Sequence, residues 1–158
     1  AWLDLLVDGL PTARLLLLQN AAFVTLFRDA IVGRGEKLAE FRLPELEGAG
    51  AGAAPSLEEI FADVSRDRAA AARKALCRLR AQGGAEEFIQ AARVLVFLKG
   101  NDSHDYKYSS AVMEDYHHVS PAWRDLYLAA SVFQLRGSGD PDNALVARTR
   151  AALGNRTY

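Results

Sequence analysis

The chain has 158 residues, of which 50% are hydrophobic and 25% charged, and its formal net charge is −1. This length suits one domain with a sizeable core, and the composition excludes a disordered chain. The nearly neutral charge excludes a global field that would attract polyanions, so nucleic acid is not expected as a partner.

Cysteine usage and the start of the chain bear on the compartment. Cys77 is the only cysteine, so an intrachain disulfide is excluded and a reducing compartment is favoured. The chain begins at Ala1 rather than at a methionine, from which we expect processing or trimming, and no signal peptide is recognisable. The sequence therefore favours a soluble, cytoplasmic protein, with export as the alternative.

The N-terminal part predicts two helices, a short one over residues 2–10 and a longer one over residues 12–32. The longer helix is apolar nearly all round, which is typical of a helix surrounded by others. Its apolar run is too often interrupted for a membrane span of about twenty apolar residues. We therefore expect a buried core helix and no membrane span. The interrupting residues are Gln19, Asn20, Thr25, Arg28 and Asp29.

Residues 48–53 alternate glycine and alanine. No apolar strand precedes this Gly-x-Gly spacing, so a phosphate-binding loop is not indicated. The run predicts a linker over residues 44–55 within a single helical domain, residues 1–158. The linker would separate a helical hairpin, about residues 1–43, from a bundle over residues 56–154.

Helix start and stop signals divide the bundle. Ser56 and Glu59 form a capping box that opens a helix continuing to Gly83 and Gly84. A second apolar stripe runs to Gly100, and its length favours a helix over a strand.

Three further start signals follow along the chain. Ser103 is expected to cap a helix that runs to about His118. Ser120 followed by proline starts another helix, whose apolar stripe predicts Trp123 in the core. Asp140, also followed by proline, starts the last helix. The sequence therefore predicts an all-α protein, a compact bundle of six or seven helices with no significant sheet.

Residues 101–118 differ from the rest of the chain. They hold all three histidines, three of the five tyrosines and the only methionine. On a helix this segment divides into a polar face and a face that is expected to point to the core. The core face comprises Tyr106, Ser109, Met113, Tyr116 and His117. The polar face comprises His104, Lys107, Tyr108, Ala111, Glu114, Asp115 and His118.

One interpretation of the polar face is a metal site. Glu114 and His117 have the Glu-x-x-His spacing of di-iron carboxylate bundles, and Glu114 and His118 at i and i+4 can chelate one ion. The candidate ligands are thus Glu114, His117 and His118, and the candidate ion is a transition metal. A second Glu-x-x-His, which di-iron bundles require, is absent from the sequence.

A second interpretation is acid–base catalysis. A histidine beside a carboxylate is the usual general base, and His118 with Asp115 satisfies that pattern. Lys107 or Tyr108 would stabilise developing negative charge. With His104, these residues form the candidate catalytic set of a metal- or cofactor-dependent enzyme.

The third interpretation is an interface. Tyrosines and histidines bury an apolar ring while a polar tip stays wet, as at protein contacts. Because no complete catalytic constellation is present, we favour a small helical protein-binding or assembly subunit with residues 104–127 at its contact surface. Its partner would be another protein or a second copy of the chain. The basic run over residues 66–80 is read as a solvated face.

Overall fold

A computed structural model describes residues 10–35 and 54–154. The described residues form α-helices and one 3₁₀ turn, with no strand among them, so the predicted all-α fold is confirmed. The predicted helix before Leu10 and most of the predicted linker lie outside the described residues. The helices are α1 (Leu10–Gly33), α2 (Leu57–Val64), α3 (Arg68–Gln82), α4 (Ala85–Lys99), α5 (Ser103–Asp115), α6 (Pro121–Ser131) and α7 (Ala144–Gly154), and the 3₁₀ turn is Val132–Gln134.

The chain divides into two compact units, residues 1–41 and residues 42–158. The described part of the first unit is α1, whose predicted helical state is confirmed. Within the described part of this unit none of the apolar window of α1 is buried, and its predicted burial in a core stays a prediction. Within the described residues it is the one helix long and apolar enough to cross a membrane. A core helix or a signal sequence can meet the same criterion of length and composition.

The second unit opens with the predicted capping box, which is confirmed. The Ser56 N–H donates to Glu59 Oε2 over 2.8 Å, and the Glu59 N–H donates to Ser56 Oγ over 3.1 Å. The prediction of one continuous helix up to Gly83 is wrong. The Arg66 and Asp67 N–H groups both turn back to the Asp63 carbonyl, and the Asp67 carboxylate then caps α3 by accepting from the Ala70 N–H.

Glycines close the next two helices as predicted. Gly83 and Gly84 have φ of 69° and 74°, a left-handed conformation that side chains disfavour, and they form the turn between α3 and α4. The α4 segment is a helix rather than a strand. It ends where the Gly100 N–H donates to the Val96 carbonyl over 2.8 Å.

The ends of α5 differ from prediction. Asp102, not Ser103, is the cap: its Oδ1 accepts from the backbone N–H groups of His104 and Asp105 at 2.7 and 3.1 Å. A carboxylate is the stronger acceptor at a helix N-terminus, where it also meets the helix dipole. The helix ends at Asp115, three residues before the predicted end at His118.

The predicted start of α6 is confirmed, and the predicted start of α7 is wrong. Ser120 is the N-cap of α6, with proline in the first turn. The last helix does not begin at Asp140. The Asp140 carboxylate accepts from the Gly137 N–H, while Asn143 Oδ1 accepts from the Val146 N–H and so caps α7.

The core of the second unit lies where α3 packs against α2 and α6 and where α4 packs against α5. The rings of Phe61 and Phe88 meet there at a centroid distance of 5.1 Å. Trp123 lies outside this core, at 62% exposure, so its predicted core placement is wrong. The large side chains that are almost completely buried are Ile60, Leu76, Phe88, Ile89, Leu128, Val132 and Leu135.

Candidate functional site

The two predicted faces of α5 are present in part: Tyr106 and His117 are exposed, so their predicted place on the core face is wrong. Ser109 and Met113 are 3% and 2% exposed and belong to the core, which confirms the predicted core face for them. Ser109 satisfies its buried hydroxyl by donating to the Asp105 carbonyl. His104, Lys107 and Asp115 face solvent.

The structure separates the members of the candidate catalytic set. His104 lies in the first turn of α5 and His118 beyond its last turn, so roughly 20 Å of helix lies between them. The His104 side chain is 93% exposed and has one charged neighbour, Asp102, at 3.6 Å. The His118 backbone N–H donates to the Asp115 carbonyl, and its ring is exposed. The five residues therefore do not converge on one point, and their catalytic role stays a prediction.

The candidate metal ligands lie around the C-terminal end of α5. The N–H groups of His117 and His118 donate to the carbonyls of Glu114 and Asp115, three residues back, so the chain has left regular α-helical geometry. The predicted spacing assumed an α-helix continuing to His118, and the backbone there is a tighter turn. Residues 10–35 and 54–154 contain no group of three or more His, Cys, Asp or Glu side chains able to hold an ion. The metal set remains a prediction.

Four side chains of α5 and α6, all within the predicted contact segment 104–127, lie on neighbouring parts of the surface. We call Tyr108, Asp115, Trp123 and Tyr127 the aromatic surface. Trp123 is 62% exposed, and Tyr127 follows one turn later on the same side of α6. The Tyr127 hydroxyl donates to Asp115 Oδ2 at 3.4 Å, which ties α6 to the end of α5. Tyr108 is 38% exposed.

The pKa values of both tyrosines in the aromatic surface are raised. Burial raises the pKa of Tyr127 above its ordinary value, and the nearby Asp115 carboxylate and Tyr108 phenol raise it further. Burial also raises the pKa of Tyr108. Both phenols are protonated at neutral pH, as tyrosines of ordinary pKa also are, and can donate hydrogen bonds.

Arg124 holds the turn between α5 and α6. Its Nε donates to the Val119 carbonyl at 2.7 Å, and its Nη2 donates to the His117 carbonyl at 3.0 Å. The guanidinium lies 6.0 Å from the Tyr116 ring centroid, within cation–π range. These contacts satisfy carbonyls at the helix end and fix the position from which α6 presents Trp123 and Tyr127.

The opposite flank of α5 borders a second exposed apolar feature. Phe97 on α4 is 67% exposed and lies between two shallow cavities. One, of about 290 Å³, is lined by Arg93, Tyr106 and Met113 among others. The other, of about 250 Å³, is lined by Leu98, Leu145 and neighbouring residues of α4 and α7. Phe97 thus exposes a large ring on a face away from the aromatic surface.

Sequence reasoning missed Trp123 as a surface residue. Leu126, which lies on the same apolar stripe as Trp123, is buried, so the stripe alone did not separate core positions from surface positions. The available signal was position, because Trp123 lies in the first turn of α6, three residues after the Ser120 cap.

No family model, no curated protein and no solved structure matches the chain.

Proposed function

We propose that the chain is a helical protein-binding subunit whose contact is the aromatic surface. The observation that carries this proposal is the 62% exposure of Trp123 beside Tyr127, which Asp115 and the turn at Arg124 hold in place. Tryptophan and tyrosine dominate the binding energy of protein interfaces because they bury a large rigid area with few rotatable bonds.

The surface also has the polar groups that an interface needs. The Tyr108 phenol can donate a hydrogen bond to a partner, whereas the Tyr127 phenol donates to Asp115. Asp115 adds an exposed carboxylate that attracts a basic side chain. The partner is therefore a protein that presents a pocket for an indole with a lysine or arginine at its edge. A second copy of the chain is one form of that partner.

The basic helix α3 is less suited to be the contact. Lys74 pairs with Asp63 at 2.7 Å, and Arg78 donates to the Pro55 carbonyl and pairs with Glu87 at 3.1 Å. Positive charge on this helix is thus partly neutralised within the chain, which weakens attraction to phosphate groups.

Site-specific photo-crosslinking in the source cells tests the proposal. A benzophenone amino acid at Trp123 should give a discrete adduct, and the same group at Phe97, 67% exposed on another face, should not. Against the partner so identified, Trp123→Ala should weaken binding about 30-fold, the loss typical of a hot spot. Phe97→Ala should leave affinity unchanged. Equal adducts at both positions, or an unchanged affinity for Trp123→Ala, would contradict the assignment.

The alternative, a metal- or cofactor-dependent enzyme on residues 104–118, gives a different result. It requires His117→Ala with His118→Ala to abolish metal content or activity while helicity is kept. The protein-binding proposal expects this pair to leave the affinity for the partner largely intact, because both rings lie outside the aromatic surface as defined.

A further inference from the structure

We propose that α1 is a membrane-spanning helix that anchors the chain in a lipid bilayer. The proposal is an alternative to the sequence-based expectation of a buried core helix, and it starts from the exposure of α1 in its own unit. The apolar surface of α1 would contact the hydrocarbon interior of the bilayer, and three properties of the helix support this.

The first property is that apolar side chains cover the whole circumference. Leu15, Leu16, Leu17 and Leu18 are 66%, 53%, 68% and 68% exposed, and four consecutive helical positions point in four directions about 100° apart. Phe23 and Leu26, at 61% and 68% exposure, continue this coverage in the next turns. One helix of a second copy would cover one side and leave the rest in water. A bilayer covers every side at once.

The second property is length. The 24 residues of α1 measure about 36 Å, and a bilayer's hydrocarbon core is about 30 Å thick. Arg14 and Arg28 bound an uncharged stretch, residues 15–27, of roughly 20 Å. Arginine side chains that extend toward opposite headgroup layers lengthen the stretch that fits in hydrocarbon, because their stems are apolar.

The third property concerns the polar groups that made a span unattractive in the sequence. The Thr25 hydroxyl donates to the Ala21 carbonyl at 3.1 Å, so its hydrogen bond is made within the helix. Gln19 and Asn20 lie near the middle of α1, where their amides would hydrogen-bond to a second bilayer-embedded copy of the helix while lipid covers the other sides. Asp29 follows Arg28 directly and would lie with it at the headgroup layer.

Vesicle flotation of the full chain tests the anchor. The purified protein, mixed with phosphatidylcholine vesicles, should float with them and remain bound after alkaline carbonate washing. Leu18→Arg should reduce the bound fraction at least tenfold. Phe97→Arg is the matched control, since it places the same charge at a side chain of equal exposure, 67% against 68%, in the second unit. It should float like the parent chain. A parent chain that stays in the aqueous phase, or Leu18→Arg that floats equally well, would overturn the proposal.

Depth measurement separates a span from the alternatives. With Cys77→Ser, a fluorophore on Ala21→Cys should be quenched more by lipids brominated near the bilayer centre than by those brominated near the headgroup. Stronger shallow quenching means a helix lying on the surface. Protection of that thiol in a lipid-free oligomer means a second copy covers α1, and a mature cellular chain lacking residues 10–33 means a cleaved signal. Each of these three results would overturn a resident anchor.

Discussion

Gly137 marks a place where two backbones leave no room for a side chain. A Cβ built on it would lie 2.1 Å from Ser65 Oγ, 2.5 Å from the Ser65 nitrogen and 2.8 Å from the Phe61 carbonyl oxygen. The neighbouring Ser138 N–H donates to that same carbonyl over 2.8 Å. The loop after α6 therefore closes the C-terminal end of α2 by direct backbone contact.

Gly137→Ala is expected to lower the free energy of unfolding by about 1–3 kcal/mol or more, because the backbone atoms that it meets cannot rotate away. Urea unfolding followed by circular dichroism measures the change. Gly139→Ala is the matched control in the same loop: its nearest contacts, at 3.2 Å, are atoms of the Ser65 side chain, so a much smaller loss is expected. Equal losses for the two variants would contradict this account.

Asp105 links α5 to the segment after α6. It pairs with Arg136 at 3.0 Å and accepts from the Asn101 N–H at 2.9 Å, and its side chain is 12% exposed. Burial by itself would raise the pKa of this carboxyl. The hydrogen bonds from Asn101 and Arg136 outweigh burial and hold the pKa below its ordinary value of 3.8.

A carboxyl whose pKa is lower in the folded state than in the unfolded state stabilises the fold. This contribution is complete above the unfolded-state pKa and is lost as the pH falls through the folded-state pKa. Asp105→Asn should therefore cost about 1–3 kcal/mol at pH 7, with the gap to the parent chain narrowing below pH 3.8. Urea unfolding from pH 2.5 to pH 7 measures it. Glu114→Gln, at an exposed site on the same helix, should show little effect. A gap that does not depend on pH would argue against the ion pair.

At the scale of elements, Asn143 joins the end of α4 to the start of α7. Its Nδ2 donates to the carbonyls of Phe97 and Gly100 at 2.8 and 3.2 Å, and its Oδ1 accepts from the Val146 N–H at 3.0 Å. One amide thus satisfies carbonyls at one helix terminus and a donor at another.

Asn143→Ala should lower the unfolding free energy by about 2–4 kcal/mol, since it removes a cap and the donor to the Phe97 carbonyl, while the Gly100 carbonyl keeps the Tyr106 hydroxyl. Asn143→Asp keeps the acceptor and loses the donors, so an intermediate loss is expected. The matched control is Ser120→Ala, because the Ser120 side chain makes no capping hydrogen bond and its loss should have little effect. Thermal unfolding of the three variants measures the order. Equal stability of Asn143→Ala and Ser120→Ala would refute the role of Asn143.

Local sequence signals predicted some helix boundaries correctly and missed others. The capping box at Ser56, the glycine turn at Gly83 and the serine–proline start of α6 were correct, because each depends on neighbours within four residues. The start of α7 was missed, because Asn143 is fixed by carbonyls of α4 more than forty residues away. The start of α5 was missed because Asp102 and Ser103 are both good caps, and the sequence does not rank them.

At the scale of the whole molecule, burial was the least predictable property. In α1 and α6 the sequence offers more apolar positions than a single core can cover. In α6, which packs against α3, Leu128 is buried and Trp123 is exposed. In α1 none of the apolar stretch is buried. The aromatic surface and the proposed anchor both follow from these two outcomes.

The sequence by itself determined that this protein is helical, where some of its helices start and stop, and that residues 101–118 have an unusual composition. These properties depend on backbone propensity, capping and turn chemistry over a few residues. Only the tertiary structure decided which apolar stripe is core, that His104 and His118 lie at opposite ends of one helix, and that Tyr127 meets Asp115. Those outcomes depend on contacts between distant segments, and periodicity along the chain carries no information about which segments meet.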